Sequence, residues 1–222
     1  MSNLQNIKGV FFDLDGTLFD TAPELSAAIN QMLTTLNLPQ LDPLKIKNFI
    51  GRGADNLIRK SIALSSQLKP EFFFDEAKKI FQQYYLLNAG SSKPYDDAKM
   101  TLENLKEKNI LLGCVTNKPK LFTDEIMRQS GMIDLMDIVL SGDSLDKMKP
   151  DPLPIEHGCA ILGLKPNEVI MVGDSSNDIE AGYAAGAYVV TVPYGYHHGE
   201  SIESSKVNLA INHLSELTQV VN

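Results

Sequence analysis

The stretch Val10-Phe11-Phe12-Asp13-Leu14-Asp15-Gly16-Thr17-Leu18 combines a buried-strand pattern with two closely spaced carboxylates. Its apolar residues favour a strand inside the protein, and alternate residues of an extended chain share one face. Asp13 and Asp15 can therefore point the same way where this strand ends. Gly16 lets the backbone turn, and Thr17 offers a hydroxyl group at that turn. A pair of acids in such a place needs a positive partner, either a metal ion or a lysine.

The residues that follow the first strand have the spacing of helices. Apolar residues recur at intervals of three and four, as in the series Leu25, Ile29, Met32, Leu33 and Leu36. We expect residues 18–90 to be helical throughout, without a strand. Five aromatic residues are expected to form the core of this segment and its contact with the rest of the chain: Phe72, Phe73, Phe74, Tyr84 and Tyr85.

Beyond residue 90, short apolar runs alternate with amphipathic helices. The strands expected here cover residues 110–115, 138–140, 169–172, 188–192 and 209–211. Short, nearly all-apolar strands separated by helices are typical of a parallel sheet covered on both faces. The predicted fold class is therefore α/β, a doubly wound, Rossmann-like parallel sheet with an inserted all-helical cap domain. We expect an α/β core of residues 1–17 and 91–222 and a helical cap of residues 18–90.

The composition excludes several classes of function. The 222 residues carry a formal net charge of -8, which argues against a nucleic-acid surface and against adhesion to an acidic membrane. No apolar run reaches the length of a membrane span, and residues 1–9 lack the pattern of a signal peptide. We therefore expect a cytoplasmic protein that binds neither nucleic acid nor membrane. Its two cysteines, Cys114 and Cys159, lack metal-ligand spacing and are expected to lie in the core.

Polar groups stand at the ends of the predicted strands. Asp13 and Asp15 follow the first strand, and Thr116-Asn117-Lys118 follows the strand at 110–115. Gly173-Asp174-Ser175-Ser176-Asn177-Asp178 follows the strand at 169–172, and Lys149-Pro150 precedes a predicted helix. Ligands of open α/β sheets bind beyond the carboxyl ends of the strands. We expect these groups to meet at one site.

This set of groups suits phosphoryl transfer through a covalent carboxylate. Converging carboxylates repel one another, and a hard cation such as Mg²⁺ relieves the repulsion by taking oxygen ligands. Asp13 can attack phosphorus, and Asp15 can protonate the leaving oxygen and then deprotonate the attacking water. Thr116 and Asn117 are expected to bind phosphoryl oxygens, and Lys149 to neutralise the charge of the transition state.

The four motifs resemble those of the haloacid dehalogenase superfamily in order, spacing and local structure. The resemblance spans almost the whole chain, and residues 18–90 resemble the small helical cap of one subclass. Within the superfamily, Thr116-Asn117-Lys118-Pro119, Lys149-Pro150-Asp151-Pro152 and Gly51-Arg52-Gly53 are most similar to phosphoglycolate phosphatases. The resemblance implies Mg²⁺-dependent hydrolysis of a small phosphorylated metabolite through an aspartyl-phosphate, with 2-phosphoglycolate as the first expectation.

The resemblance also implies roles for single residues. Asp13 would be the nucleophile and Asp15 the acid and base, and Mg²⁺ would be held by Asp13, the Asp15 carbonyl and Asp174. Asp178 would either bind Mg²⁺ through a water molecule or support the residues that bind it directly. Alternatively, Asp178 has only a structural role, as a negative charge at the N-terminus of a helix. Two alternatives stay open for Arg52: it contacts a carboxylate of the substrate, or it is an exposed arginine without a role in the site.

Other functions share much of this pattern. A dehalogenase would not need Asp15, since a halide leaves unprotonated. A sugar-phosphate phosphatase or mutase and a pyrophosphatase stay open, because the cap selects the substrate. A phospho-acceptor signalling module would also place acids and a lysine at strand ends, but it would need neither a proton donor nor a helical lid. An inactive binding protein is disfavoured because every motif position is filled.

Overall fold

A six-stranded parallel sheet forms the centre of the computed structural model of the chain, which describes residues 6–66, 69–196 and 204–221. The strands of the described residues are β1 (Gly9–Phe12), β2 (Phe19–Asp20), β3 (Lys93–Pro94), β4 (Leu111–Val115), β5 (Ile138–Leu140), β6 (Val169–Gly173), β7 (Tyr188–Thr191) and β8 (Leu209–Ala210). The order across the sheet is β5-β4-β1-β6-β7-β8. β1 lies in the middle, because β4 and β6 pair with it in parallel on its two sides.

Helices surround this sheet. Those of the described residues are α1 (Ala22–Thr35), α2 (Pro43–Lys47), α3 (Ala54–Ser65), α4 (Phe74–Asn88), α5 (Ala98–Glu107), α6 (Lys120–Gln129), α7 (Leu153–Leu162), α8 (Ser176–Ala185) and α9 (Leu217–Val220). α1 to α4 lie between β2 and β3 in the chain, and α1 packs against α2 and α4. α5 packs on β4, α7 on β4 and β5, and α8 on β6 and β7. In the part of the chain that the structure describes, every helix is too short or too polar to cross a bilayer.

β1 is buried on both faces, as its apolar sequence predicts. Val10 and Phe12 pack into the larger core, which includes residues of α5 and α9. Phe11 points the other way, into a smaller cluster with Ile155 and Cys159 of α7. Side chains alternate between the faces of a strand, so helices have to cover both sides of the sheet. The predicted α/β fold with a parallel sheet is confirmed.

A short strand corrects the expectation that residues 18–90 contain only helices. β2 lies within this segment and pairs antiparallel with β3, with Phe19 opposite Pro94 and Asp20 opposite Lys93. A two-residue strand is too short to produce an alternating pattern, so the sequence carries no periodic signal for it. The pair joins the point where the chain leaves β1 to the point where it returns towards α5. The division of the chain into core and cap stays a prediction.

One of the five aromatic residues expected in the helical core is exposed. Phe72, in a 3-10 turn before α4, has 84% of its surface accessible, so this expectation is wrong. The other four pack in the core or against it. Tyr85 of α4 stacks with Phe81 and meets Phe122 of α6 edge-on, with 4.8 Å between the ring centroids in the second pair. Aromatic contacts therefore join α4 to α6.

Candidate active site

The carboxyl ends of β1, β4 and β6 bring predicted site residues to one edge of the sheet. Asp13 and Asp15 follow β1, Thr116 follows β4, and Asp174 follows β6. All four are buried. Because neighbouring parallel strands end at the same edge, residues more than 100 positions apart in the chain meet there.

Lys149 reaches this edge from the loop before α7. Its Nζ lies 2.9 Å from Asp13 Oδ1 and 2.6 Å from Asp178 Oδ1, and it donates to the Val115 carbonyl at 2.5 Å. The other oxygen of Asp178 accepts from the backbone N–H of Ser175 at 3.0 Å and from its hydroxyl at 2.7 Å. Burial lowers the pKa of Lys149, but the two carboxylates outweigh burial and hold that pKa above its ordinary value. The side chain therefore carries a positive charge.

Asp13, Asp174 and Asp178 form a cluster of buried carboxylates. One oxygen of each lies within 4.8 Å of one oxygen of the other two. Burial raises the pKa of Asp13 to about 6 against the opposing effect of Lys149. Burial and repulsion from Asp178 raise the pKa of Asp174 well above its ordinary value. A hard divalent cation with oxygen ligands would relieve this repulsion, so the residues present fit the predicted Mg²⁺.

The carboxylate of Asp174 is held on several sides. The Thr17 hydroxyl donates to its Oδ1 at 3.1 Å, and the backbone N–H of Tyr196 donates to its Oδ2 at 2.6 Å. Gly16 has a φ of 88°, and a Cβ atom added there would lie 2.5 Å from Asp174 Oδ2. Glycine is therefore required both by the turn and by the carboxylate packed against it.

Asp15 belongs to a different network. Lys118 Nζ donates to Asp15 Oδ1 at 2.8 Å, and the Thr21 hydroxyl donates to the same oxygen at 2.6 Å. Lys118 is buried, and its Nζ lies 4.8 Å from the centroid of the Tyr85 ring. The Tyr196 hydroxyl accepts from the backbone N–H of Thr21 at 2.6 Å. The two neighbouring acids of the first motif thus have different lysine partners.

A small, partly enclosed cavity is lined by residues of both networks. Asp13, Asp15, Thr116 and Lys118 line it, and most of its remaining wall is apolar: Leu25, Ile50, Leu57, Phe81 and Phe122. Its volume is about 30 Å³. That volume holds about one or two water molecules. The apolar wall comes from the helical segment and from α6, so the helices close the site from above the strand ends.

Of two further predicted binding residues, Asn117 lines this cavity and Arg52 does not. The Asn117 side-chain amide donates to the carbonyls of Gly51 at 3.0 Å and Lys149 at 2.7 Å, and so joins the helical segment to the Lys149 loop. Within the described residues, Asn117 Oδ1 is buried without a hydrogen-bond partner. Arg52 lines a neighbouring groove of about 380 Å³ with Lys149 and Asn177, rather than the small cavity.

Sequence patterns assign no role to Lys118, Thr21 and Tyr196, although each has a polar contact in this site. Lys118 stands inside a predicted motif, so its position next to Thr116 and Asn117 was an available signal. Tyr196 follows the last long strand in a loop without periodicity, 175 residues from its partner Thr21. No pattern in the sequence pairs these two residues.

Residues 10–192 match the family of haloacid dehalogenase-like hydrolases, so the chain belongs to this family. The phosphoglycolate phosphatase of Nitrosospira multiformis is 36% identical to it, over 97% of this chain and 96% of that protein. The phosphoglycolate phosphatase of Thiobacillus denitrificans is 35% identical over the same shares. The crystal structure of a predicted phosphoglycolate phosphatase from Haemophilus somnus has a TM-score of 0.93 and 35% identity, covering 97% of this chain and 98% of that one.

These comparisons confirm the resemblance that the motifs carry. They also confirm the prediction of an enzyme of the phosphoric monoester hydrolase type, at the level of the family and its named relatives. The buried carboxylate cluster agrees with metal binding as a property of this family. The roles of the individual site residues stay predictions.

Proposed function

We propose that this chain is a Mg²⁺-dependent phosphatase that hydrolyses a small phosphomonoester, 2-phosphoglycolate in the first place, through a phosphorylated Asp13. One observation carries the proposal. Asp13 and Asp15 line the same cavity but are held by different lysines, Lys149 and Lys118. Two acids with different surroundings can take different roles in one reaction, one as the nucleophile and one as the carrier of a proton.

In the first step Asp13 attacks the phosphorus atom of the ester. A bond forms between a carboxylate oxygen and phosphorus, and the bond from phosphorus to the ester oxygen breaks. The ester oxygen leaves with that electron pair and takes a proton from Asp15. Lys149, whose Nζ is 2.9 Å from Asp13, neutralises negative charge on the phosphoryl group, and the Thr116 hydroxyl binds one of its oxygens.

In the second step water releases the phosphoryl group. Asp15, now a carboxylate, takes a proton from a water molecule whose oxygen attacks phosphorus. The bond between phosphorus and Asp13 breaks, its electron pair returns to the carboxylate, and inorganic phosphate leaves. Thr21 and Lys118 keep the Asp15 side chain in one orientation throughout, since both donate to its Oδ1.

The carboxylates of Asp13 and Asp174 and the main-chain carbonyl of Asp15 would hold Mg²⁺, with Asp178 supporting them through Lys149. When bound, the cation supplies positive charge that offsets repulsion between the carboxylates and an anionic phosphoryl group. Burial and neighbouring carboxylates raise the pKa values of Asp13 and Asp174, which supports this assignment, because a bound cation would offset both effects.

Residues 18–90 would act as a cap over a core of residues 1–17 and 91–222. A cavity of about 30 Å³ is too small for a phosphomonoester, so the helices have to move away from the strand ends to admit one. β2 and β3 join the two parts and are where we place the hinge. After closure, the apolar wall excludes bulk water from the first step.

The relatives support the choice of substrate. Proteins 36% and 35% identical to this chain are named phosphoglycolate phosphatases. A short leaving group also suits a site whose wall is mostly apolar and close to the reacting acids. Cys114 and Cys159 are free and buried, which supports a location in the cytoplasm.

Release of inorganic phosphate from a panel of small phosphoesters, with and without Mg²⁺, tests the proposal. We expect 2-phosphoglycolate among the better substrates, a requirement for Mg²⁺, and loss of activity in Asp13→Asn. Asp146→Asn, at an exposed carboxylate, is the matched control. A preference for sugar phosphates or pyrophosphate would refute the substrate alone. Undiminished activity in Asp13→Asn would refute the mechanism.

A further inference from the structure

Lys118 is a buried charged group for which the mechanism above gives only a holding role. Its side chain is 3% exposed, and its Nζ donates to Asp15 Oδ1 at 2.8 Å. Burial lowers the pKa of Lys118, but the Asp15 carboxylate and the Tyr85 hydroxyl outweigh burial and hold that pKa above its ordinary value. The ion pair with Asp15 therefore stabilises the charged form of this buried ammonium group.

Among the described residues, Lys118 is the only lysine or arginine that lines the small cavity beside Asp13 and Asp15. Lys149 lines the neighbouring groove together with Arg52 instead. Burial of an ammonium group beside apolar side chains is unfavourable unless anions pair with it. Lysine offers three N–H donors, so Lys118 can keep its bond to Asp15 and bind a second carboxylate.

The position of Asp15 fixes where the leaving group of a substrate lies. An acid that protonates the ester oxygen has to come within about 3 Å of that oxygen. Because Lys118 Nζ lies 2.8 Å from Asp15 Oδ1, a carboxylate carried one methylene group beyond the ester oxygen comes within reach of the ammonium group. An uncharged leaving group would gain nothing from this lysine.

We propose that Lys118 determines specificity by binding, through Nζ, a carboxylate carried by the leaving group of the substrate. The inference rests on the proposed phosphatase function and identifies the part of the substrate that this side of the cavity recognises. It favours short esters in which one methylene group separates the ester oxygen from the carboxylate. Longer or more polar leaving groups would have to displace the apolar wall formed by Leu57, Phe81 and Phe122.

The test compares two esters of similar size, 2-phosphoglycolate and ethyl phosphate, of which only the first carries a carboxylate. We expect the wild-type kcat/KM to favour 2-phosphoglycolate by about 100-fold or more. In Lys118→Met, kcat/KM should fall by about 100-fold for 2-phosphoglycolate and by less than about tenfold for ethyl phosphate. The ratio of the two values is independent of how much of the protein is folded.

Lys118→Gln is measured in parallel, because it keeps an N–H donor for Asp15 and is the milder change. Lys120→Met is the control, since this lysine lies two positions further along the chain with a side chain that is 62% exposed. It should keep the wild-type ratio. For variants too slow for kinetics, calorimetry gives the dissociation constants of the two esters. Their ratio then replaces the ratio of the kcat/KM values as the measure of preference.

Loss of the preference in both Lys118 variants, with the control unchanged, supports the inference. If the wild type prefers 2-phosphoglycolate and both variants keep that preference, Lys118 only positions Asp15, and the inference is wrong while the proposed function stands. If the wild type does not distinguish the two esters, the proposed substrate is wrong and the inference falls with it.

Discussion

Two buried lysines contact the two acids of the first motif, and their surroundings differ. Lys149 lies at the strand ends between the carboxylates of Asp13 and Asp178. Lys118 lies against Asp15 and an aromatic ring, close to apolar side chains of the helical segment. In the proposed mechanism, the same positive charge therefore serves two purposes. The polar surroundings of Lys149 suit a phosphoryl group and a cation, and the apolar surroundings of Lys118 suit a short leaving group.

The largest effect that separates these two sides is expected from Asp15→Asn. Hydrolysis of 2-phosphoglycolate should fall by about 10²–10⁴-fold, because neither the leaving oxygen nor the attacking water has a proton carrier. With acetyl phosphate, whose leaving group departs unprotonated, Asp13 should still become phosphorylated and stay so. Phosphate release and intact-protein mass measure the two steps.

Asp146→Asn is again the control, and it should match the wild type in both measurements. Undiminished phosphate release in Asp15→Asn would contradict the role given to this residue. A wild-type protein that accepts a phosphoryl group and keeps it would favour a phospho-acceptor signalling module instead.

Lys149→Met tests the role proposed for Lys149 at the phosphoryl group. We expect kcat/KM to fall by about 10²–10³-fold for 2-phosphoglycolate and ethyl phosphate alike, because Lys149 acts on the phosphoryl group that both esters share. Lys147→Met is the matched control, with a side chain that is 64% exposed. If kcat/KM fell only for 2-phosphoglycolate, Lys149 rather than Lys118 would recognise the carboxylate of the substrate.

Mg²⁺ should stabilise the folded chain through the carboxylates on the Lys149 side. At about 100 times its dissociation constant, the cation should add about 2.7 kcal/mol to the free energy of unfolding. For a chain of this size that is about 5–10 °C in Tm. Thermal denaturation measures the shift, and Asp174→Asn should reduce it. If Mg²⁺ raised the Tm of Asp174→Asn as much as that of the wild type, the cation would bind at a site that does not include Asp174.

The same measurement depends on pH with a definite sign. The pKa of Asp13 is raised from 3.8 to about 6, so the folded chain holds this proton more tightly than the unfolded chain. The contribution of Asp13 to the stability of the metal-free protein therefore falls as pH rises from about 4 through 6. Because Mg²⁺ competes with that proton, its stabilising effect should be larger at about pH 8 than at about pH 5.

The smallest effect is expected from Tyr196→Phe. Tyr196 contacts both the residues around Asp174 and those around Asp15, and the substitution removes its hydroxyl group. The Tyr196 backbone binds Asp174, and its hydroxyl binds the backbone N–H of Thr21, which in turn holds Asp15. The loss of an acceptor for that buried N–H should lower the free energy of unfolding by about 1–3 kcal/mol. We expect kcat to fall by severalfold. Tyr183→Phe, at a tyrosine that is 58% exposed, is the control and should change neither quantity. An unchanged Tm in Tyr196→Phe would contradict the stabilising role given to the Tyr196 hydroxyl.

The fold and the Lys149 side could be predicted from the sequence because they depend on periodic and local signals. Apolar runs identified the strands of the sheet, and parallel strands end at one edge, so the acids that follow β1 and β6 had to meet. The sequence thus placed Asp13 and Asp174 together, although 161 positions separate them. Lys149 could be expected there because the run Lys149-Pro150-Asp151-Pro152 precedes the helix predicted from Leu153.

The Lys118 side could not be predicted in the same way. The strand ends bring Lys118 near Asp15, but its contact with the Tyr85 ring and its place beside the apolar wall depend on how the helical segment packs over the sheet. No periodic pattern reports that packing, and β2 and β3, which pair at the start and end of the segment, are each two residues long. Such pairings follow from tertiary packing, which a pattern along a single chain does not specify.

The formation of a covalent bond to Asp13 is the central claim, and one rapid-quench experiment tests it directly. Substrate labelled in the phosphoryl group is mixed with excess enzyme and Mg²⁺, stopped with acid before the first turnover ends, and the protein is digested. The account predicts transient label on the peptide that contains Asp13, longer-lived in Asp15→Asn and absent in Asp13→Asn. Phosphate release without labelled protein at any time, or label on another residue, would contradict it.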